Sequence, residues 1–148
     1  MTDIVPITEQ TLPGNRLQLS VPGCSVIYER VRPGVLLVSI SGNDKGDFGT
    51  RVLDEIRLEL LRHHPLELLV DASAVVGVAL SVSNEWTQFF ALNRATLKRV
   101  SVLVGSKAVE LTVAIAQHLS DTGRLVQIYS DPAVFAAYLE SVKSKGPD

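Results

Sequence analysis

The chain has 148 residues, a formal net charge of −2 and a pI near 5.9, which suits one domain with a sizeable core. No basic block is present, so we expect no nucleic-acid partner, and the single cysteine, Cys24, excludes both an intrachain disulfide and a thiolate metal cluster. No stretch is apolar enough to span a membrane and the N-terminus lacks a signal pattern, so we expect a soluble cytoplasmic protein.

The N-terminal part of the chain is rich in turn residues and short strand patterns. Residues 1–22 hold three prolines and predict an extended N-terminal arm, within which Arg16–Val21 alternates as an edge strand does. Cys24–Val31 and Gly34–Ser41 are rich in β-branched and aliphatic residues, and an Arg-Pro-Gly turn joins them. We therefore predict that these two strands form an antiparallel hairpin.

The rest of the chain alternates between helical and strand patterns. Helices are predicted at Phe48–His63, Ser81–Leu97, Lys107–Ser120 and Ser130–Val142, and strands at Leu66–Asp71, Arg99–Gly105 and Arg124–Ser130. The apolar side of the second helix carries Val82, Trp86, Phe89, Phe90 and Leu97. The order ββαβαβαβα predicts an α/β fold with a mixed, mainly parallel sheet of about five strands. We expect one domain over residues 23–143 and a disordered tail over 144–148.

The predicted strands are apolar mainly on one face. That face carries Leu36, Val38, Ile40, Leu66, Leu68, Val70, Val100, Val102, Val104, Val126 and Ile128. The opposite face carries Ser39, Ser41, Glu67, Asp71, Arg99, Ser101, Gln127 and Tyr129. Its only aliphatic residues are Leu37, Leu69, Leu103 and Leu125. A sheet covered by helices on both sides is apolar on both faces. We therefore expect the helices to lie mostly on one face.

The order of elements and the segment "LLVDASAVVGVALSVSN" resemble the STAS domain, the fold of the anti-sigma-factor antagonists, and the related SpoIIAA-like domains. The resemblance covers residues 24–142. In that family a strand ends in aspartate, as at Asp71, and an Asp-Ser-Ser-Gly-like turn opens the next helix, with a serine that a partner kinase phosphorylates in the antagonists. Here the turn is Ala79–Val82, so only Ser81 matches. The resemblance implies a regulatory, protein-binding function.

Ser81 has two interpretations. A phosphate would suit a helix N-terminus, where free N–H groups and the helix dipole favour negative charge. Alternatively, Ser81 is an N-cap whose hydroxyl accepts a backbone N–H, a role that Ser83 could also fill. Glu85, one turn later, would repel a phosphate. We predict that Ser81 caps the helix and is not constitutively phosphorylated, and we keep it as a candidate phosphosite.

The connection between Asp71 and Ser81 is unusually apolar. Asp71 is expected to hold it in place by accepting a backbone N–H bond. A solvated loop gains nothing from large apolar side chains, so the loop Val75–Leu80, with Gly77 at its turn, must bury them. We predict that part of it packs on the domain and that the remainder binds a protein partner. The candidate partner-binding residues are Val75, Val76, Val78, Leu80, Ser81 and Glu85.

No set of titratable residues points to catalysis. His63 and His64 are adjacent, so their side chains diverge on a helix and cannot chelate a metal together. We expect no catalytic, cofactor or metal site, and hence no enzyme. The predicted function is a non-enzymatic regulatory or interaction module whose partner is a kinase, another regulatory protein or a second copy of the chain. The alternative is a domain that binds or senses a small apolar ligand such as a lipid, with the apolar loop lining its pocket.

Overall fold

Seven strands lie side by side in chain order in the computed structural model, which describes residues 5–144. The strands are β1 (Thr8–Leu12), β2 (Arg16–Val21), β3 (Cys24–Arg32), β4 (Val35–Asp44), β5 (Leu66–Val78), β6 (Leu97–Val104) and β7 (Val126–Tyr129). The helices are α1 (Arg51–Arg62), α2 (Leu80–Leu92), α3 (Lys107–Leu119) and α4 (Pro132–Lys143). Neighbours from β1 to β4 are antiparallel and those from β4 to β7 are parallel. The predicted mixed α/β sheet is confirmed, with seven strands instead of about five.

The two additional strands come from the segment that was expected to be an extended arm. Over Thr8–Val21 this segment forms a hairpin that adds to the sheet, and its turn uses the positive φ angles of Gly14 (81°) and Asn15 (62°). The predicted edge strand Arg16–Val21 is present as β2, but β1 covers it and forms the edge. Residues 1–4 and most of the expected tail, 145–148, lie outside the described residues.

Helices cover the two faces of the sheet unequally. Side chains from α1, α2 and α3 join one large core with the apolar face of the strands. Of the helices in residues 5–144, α4 alone packs on the other face, where Phe135 and Val142 cover Leu69 and Leu103. Leu125, expected on that second face, packs against the large core instead. The prediction that the helices lie mostly on one face is confirmed, and the few leucines of the polar face mark where α4 sits.

Local signals explain where two of the four described helices begin. Ser106 caps α3 by accepting a bond from the Val109 N–H at 3.2 Å, and Asp131 caps α4 by accepting one from the Ala133 N–H at 2.9 Å. The predicted end of α2 at Leu97 is wrong. The helix ends at Leu92, residues 93–96 turn, and Leu97 is a buried residue of β6. Among the described residues, no helix is long and apolar enough to cross a membrane.

Candidate functional site

The apolar segment after Asp71 is a strand and not a loop. β5 runs from Leu66 to Val78, and only Ala79 separates it from α2. The predicted loop over Val75–Leu80 is therefore wrong, as is the predicted end of the strand at Asp71. The physical reason is twofold: valines favour extended backbone, and β4 continues to Asp44 and supplies hydrogen-bonding partners.

The second half of β5 extends beyond its other neighbour. The last pair between β5 and β6 joins Ala72 to Val104, so residues 73–78 pair only with residues 41–44 of β4. We call these two segments the β4–β5 extension. It projects from the carboxyl ends of the parallel strands, which is where open α/β sheets place their binding sites.

A hydrogen-bonded turn marks the beginning of this extension. Asp71 Oδ1 accepts the backbone N–H of Ser73 at 3.0 Å and the Ser73 hydroxyl at 2.6 Å. The register between β4 and β5 shifts at the same place, where Ser39 faces Asp71 and Ser41 faces Ala74. The expectation that Asp71 accepts a backbone N–H is therefore confirmed, although the aspartate lies inside a strand.

A second irregularity exposes Val76. Gly42 faces Val75 and the next residue, Asn43, faces Gly77, so Val76 is the additional residue of a β-bulge. Bulges redirect side chains, and the Val76 residue is 79% exposed. The bulge therefore presents an aliphatic side chain to solvent in a strand whose flanking residue Val75 is buried.

The candidate partner-binding residues divide into two groups. Val75 is buried and Val78 packs against the large core, so neither is a free surface residue. Leu80 is 76% exposed, Ser81 is exposed and Glu85 is half-buried. We call Val76, Leu80 and Ser81 the α2 entry surface, because they flank the start of α2.

Ser81 does not cap α2, and that prediction is wrong. The N-cap residue is Ala79, which has no side chain that can accept a bond, and no acidic residue lies in the first turn. The helix begins one residue earlier than predicted, which places Ser81 inside the first turn with its side chain exposed. Ser83 is not the cap either, and it lines a cavity below the helix. The positive end of the α2 dipole is therefore left without a compensating carboxylate on its own first turn.

An apolar cavity of about 80 Å³ lies between the carboxyl ends of the strands and helices α2 and α3. Its lining is Ile40, Asp44, Val70, Ala72, Val75, Val78, Val82, Ser83, Trp86, Phe90, Val102, Val109, Thr112, Val113 and Ala116. Val75 and Val78 are the only lining residues that the sequence predicted to lie in a functional site, because the contact between α2 and α3 could not be predicted from the sequence. The cavity is smaller than the roughly 150 Å³ that holds a benzene molecule in an engineered core.

Asp44 is the one acidic group in the cavity lining and lies at the end of β4. Burial raises the pKa of its carboxyl above the ordinary value, and the nearby charge of Asp47 acts in the same direction. The Gly46 N–H donates to Asp44 Oδ1 at 3.0 Å and acts in the opposite direction, because it favours the carboxylate.

We expect Asp44→Asn to raise the melting temperature at pH 7. A raised pKa means that the folded protein holds the proton more tightly than the unfolded chain. The stabilisation that Asp44 contributes is therefore fully present when the pH is below the pKa of its carboxyl in the unfolded chain. It is lost as the pH rises through the pKa of that carboxyl in the folded protein. Asparagine keeps the acceptor for Gly46 without the charge. In thermal melts from pH 3 to pH 8, the gain in melting temperature of the variant should disappear as the pH falls to about 3.8, the ordinary pKa of an aspartate. A gain that does not depend on pH would contradict this assignment.

Comparison with known proteins places the fold. No family model matches the chain, and no curated protein does. An anti-sigma factor antagonist from Mycobacterium paratuberculosis superposes with a TM-score of 0.54 at 16% identity, over 88% of this chain and 99% of that one. An uncharacterised DUF3478-family protein from Shewanella loihica, described as having a SpoIIAA-like fold, superposes with a TM-score of 0.54 at 17% identity. The match covers 79% of this chain and 94% of that one. At these identities the likeness concerns fold alone, and the chain has the STAS, or SpoIIAA-like, fold.

Proposed function

We propose that this protein is a non-enzymatic regulatory module that binds another protein through the α2 entry surface. One solved protein of the same fold is named an anti-sigma factor antagonist, that is, a protein directed against another protein. The observation that carries the proposal is the exposure of two large aliphatic side chains, Val76 and Leu80, beside an uncapped helix N-terminus.

The chemistry of this surface suggests what a partner must offer. Isolated exposed aliphatic residues are common, but here two lie four residues apart at the carboxyl end of the sheet. Fully burying each side chain is worth roughly 1.5–3 kcal/mol, so together they could change an affinity by orders of magnitude. The free N–H groups of the first turn of α2 would in addition suit an acceptor or an anionic group. If the partner is a kinase, the exposed hydroxyl of Ser81 is the group on this surface that it would phosphorylate.

The test is the affinity of tagged protein for its cellular partner, with Val76→Asp and Leu80→Asp made separately. Both should stay folded and should weaken binding at least ten-fold, because each places an unpaired charge in an apolar contact. Leu61→Asp is the matched control, since Leu61 is also 79% exposed but lies at the end of α1. Equal binding by all variants, or equal loss with the control, would refute the surface. Val78→Asp is unsuitable, because Val78 packs on the core.

The apolar cavity favours a second candidate function, the binding of a small apolar ligand. Its lining is aliphatic and aromatic apart from Asp44, Ser83 and Thr112. Ligand pockets usually measure about 300–1,000 Å³, so helices α2 and α3 would have to separate to admit a lipid chain. Native mass spectrometry of the purified protein distinguishes the functions. A bound lipid mass would support this second candidate, and the mass of the bare chain alone would count against it.

A further inference from the structure

Helix α4 is attached to the sheet more lightly than α1, which has the same length. Each helix has 12 residues, but five of them are buried in α1 and two, Phe135 and Val142, in α4. The buried apolar residues of α1 belong to the large core, whereas the two of α4 form a separate cluster with Val35, Leu69 and Leu103 on the second face of the sheet. Because the two clusters share no buried residue within 5–144, α4 can leave the sheet without opening the large core.

A buried hydroxyl on the face that α4 covers has no hydrogen-bonding partner. Ser101 of β6 pairs in register with Leu69 of β5 and is 0% exposed. Within residues 5–144, its Oγ is the one buried side-chain oxygen or nitrogen without a partner. Burying a hydroxyl without a hydrogen bond costs free energy, and water supplies that bond once the hydroxyl is uncovered. Ser101 therefore favours a state in which α4 has moved away.

A buried carboxylate on the same face is held by a side chain of α4. Glu67 is 6% exposed, and its carboxylate accepts a hydrogen bond from the Tyr138 hydroxyl. The guanidinium carbon of Arg99 lies 5.3 Å from the centre of the Tyr138 ring. Near the end of the helix, Arg32 Nε donates to the Val142 carbonyl at 2.9 Å. Tyr138 is therefore the side chain through which α4 satisfies a buried charge of the sheet.

We propose that α4 is a detachable lid, which leaves the sheet as a unit while the strands and helices α1, α2 and α3 stay folded. Opening uncovers the aliphatic strip formed by Val35, Leu69 and Leu103. The separate small cluster makes the opening local, as is typical of segments with few buried contacts. The Ser101 hydroxyl favours the open state, and the bond from Tyr138 to Glu67 favours the closed state. The inference does not rest on the proposed function, because the α2 entry surface lies outside α4 and its cluster.

Hydrogen exchange of the full chain, followed by mass spectrometry, measures the opening. Amides of α4 should be protected about ten-fold less, or lower still, than those of α1. Ser101→Ala should raise the protection of α4 about five-fold or more, because no hydroxyl is then left unpaired under the closed lid. Tyr138→Phe should lower it by a similar factor, because the buried carboxylate of Glu67 loses its donor.

Ile56→Val is the control for global unfolding. Ile56 is fully buried in the large core, so its shortening should lower the protection of α1 about two- to ten-fold. The protection of α4 should not change, because the large core is equally folded in the closed and open states of the lid. An α4 as strongly protected as α1, or an equal loss in both helices on Ile56→Val, overturns the proposal, since α4 would then open only when the whole domain unfolds.

Fraying of α4 in place would also lower its protection, so a second measurement follows the surface beneath it. In Ser101→Cys, the new thiol should react with a thiol reagent only when the lid opens. Cys24, which is 5% exposed in the large core, is the internal reference. We expect position 101 to react about ten-fold faster than Cys24, and faster still when Tyr138→Phe is added. Equally slow reaction at the two positions would refute the lid.

Discussion

Alanine at Gly42 is expected to destabilise the folded protein by about 3 kcal/mol or more and to lower its melting temperature by roughly 6–12 °C. Gly42 has a φ of +96°, and a Cβ built there would lie 2.1 Å from the carbonyl oxygen of Gly23. That oxygen accepts the Asn43 N–H at 2.9 Å, so it cannot move away without losing a bond. The residue also pairs with both β3 and β5, and a local shift would disturb the start of the β4–β5 extension.

Gly34→Ala is the control that separates the cost of a positive φ from the cost of the close approach to Gly23. Gly34 also has a positive φ, +83°, but a Cβ there would meet nothing within 4 Å. Left-handed backbone alone costs about 1–2 kcal/mol for a residue with a side chain. Chemical denaturation of both variants should therefore show a clearly larger loss at position 42. Equal losses would mean that the close approach to Gly23 contributes nothing.

Phe89→Ala is expected to cost about 3–5 kcal/mol of unfolding free energy. Phe89 is fully buried and contacts Trp86 and Phe90, with ring centroids 6.2 and 6.0 Å away. The guanidinium carbon of Arg57 lies 5.7 Å from its ring centre, which ties α2 to α1. Removing the ring leaves a cavity in the large core and deletes this cation–π contact.

Leu92→Ala on the same helix provides the comparison for Phe89→Ala. Leu92 is 80% exposed, and alanine is the best helix former, so its unfolding free energy should change by less than about 0.5 kcal/mol. Urea denaturation measures both changes. A cost below about 1 kcal/mol for Phe89→Ala would show that α2 is only loosely attached to the sheet.

Patterns that depend on one segment could be predicted from the sequence. The apolar side of α2 was recognisable because Val82, Phe89 and Phe90 recur at helical spacing, and all three are buried. The one-sided sheet was recognisable because β-strand side chains alternate between faces. The start of α4 was recognisable from Pro132, which left Ser130 and Asp131 as the two candidate caps, and Asp131 is the cap in the structure.

Features that depend on two distant segments could not be predicted. The strand character of Val75, Val76 and Val78 rests on pairing with the end of β4, about thirty residues earlier in the chain. Without that partner, four apolar residues around a glycine resemble a buried loop. The same holds for the cavity, since it depends on how α2 and α3 pack against each other and against the strands. The N-cap at Ala79 was missed because the helix start follows from where β5 ends.

The order of the strands in the sheet has a consequence for synthesis. Because β1 to β7 lie side by side in the order in which they leave the ribosome, each new strand can join an edge that already exists, and none has to be inserted between two others. The large core can therefore grow steadily as α1, α2 and α3 emerge. The second face is different, because its cover, α4, is the last helix of residues 5–144 to be made. Until Phe135 and Val142 arrive, Leu69 and Leu103 remain open to water, so a nascent chain halted before Pro132 would be the form most in need of a chaperone.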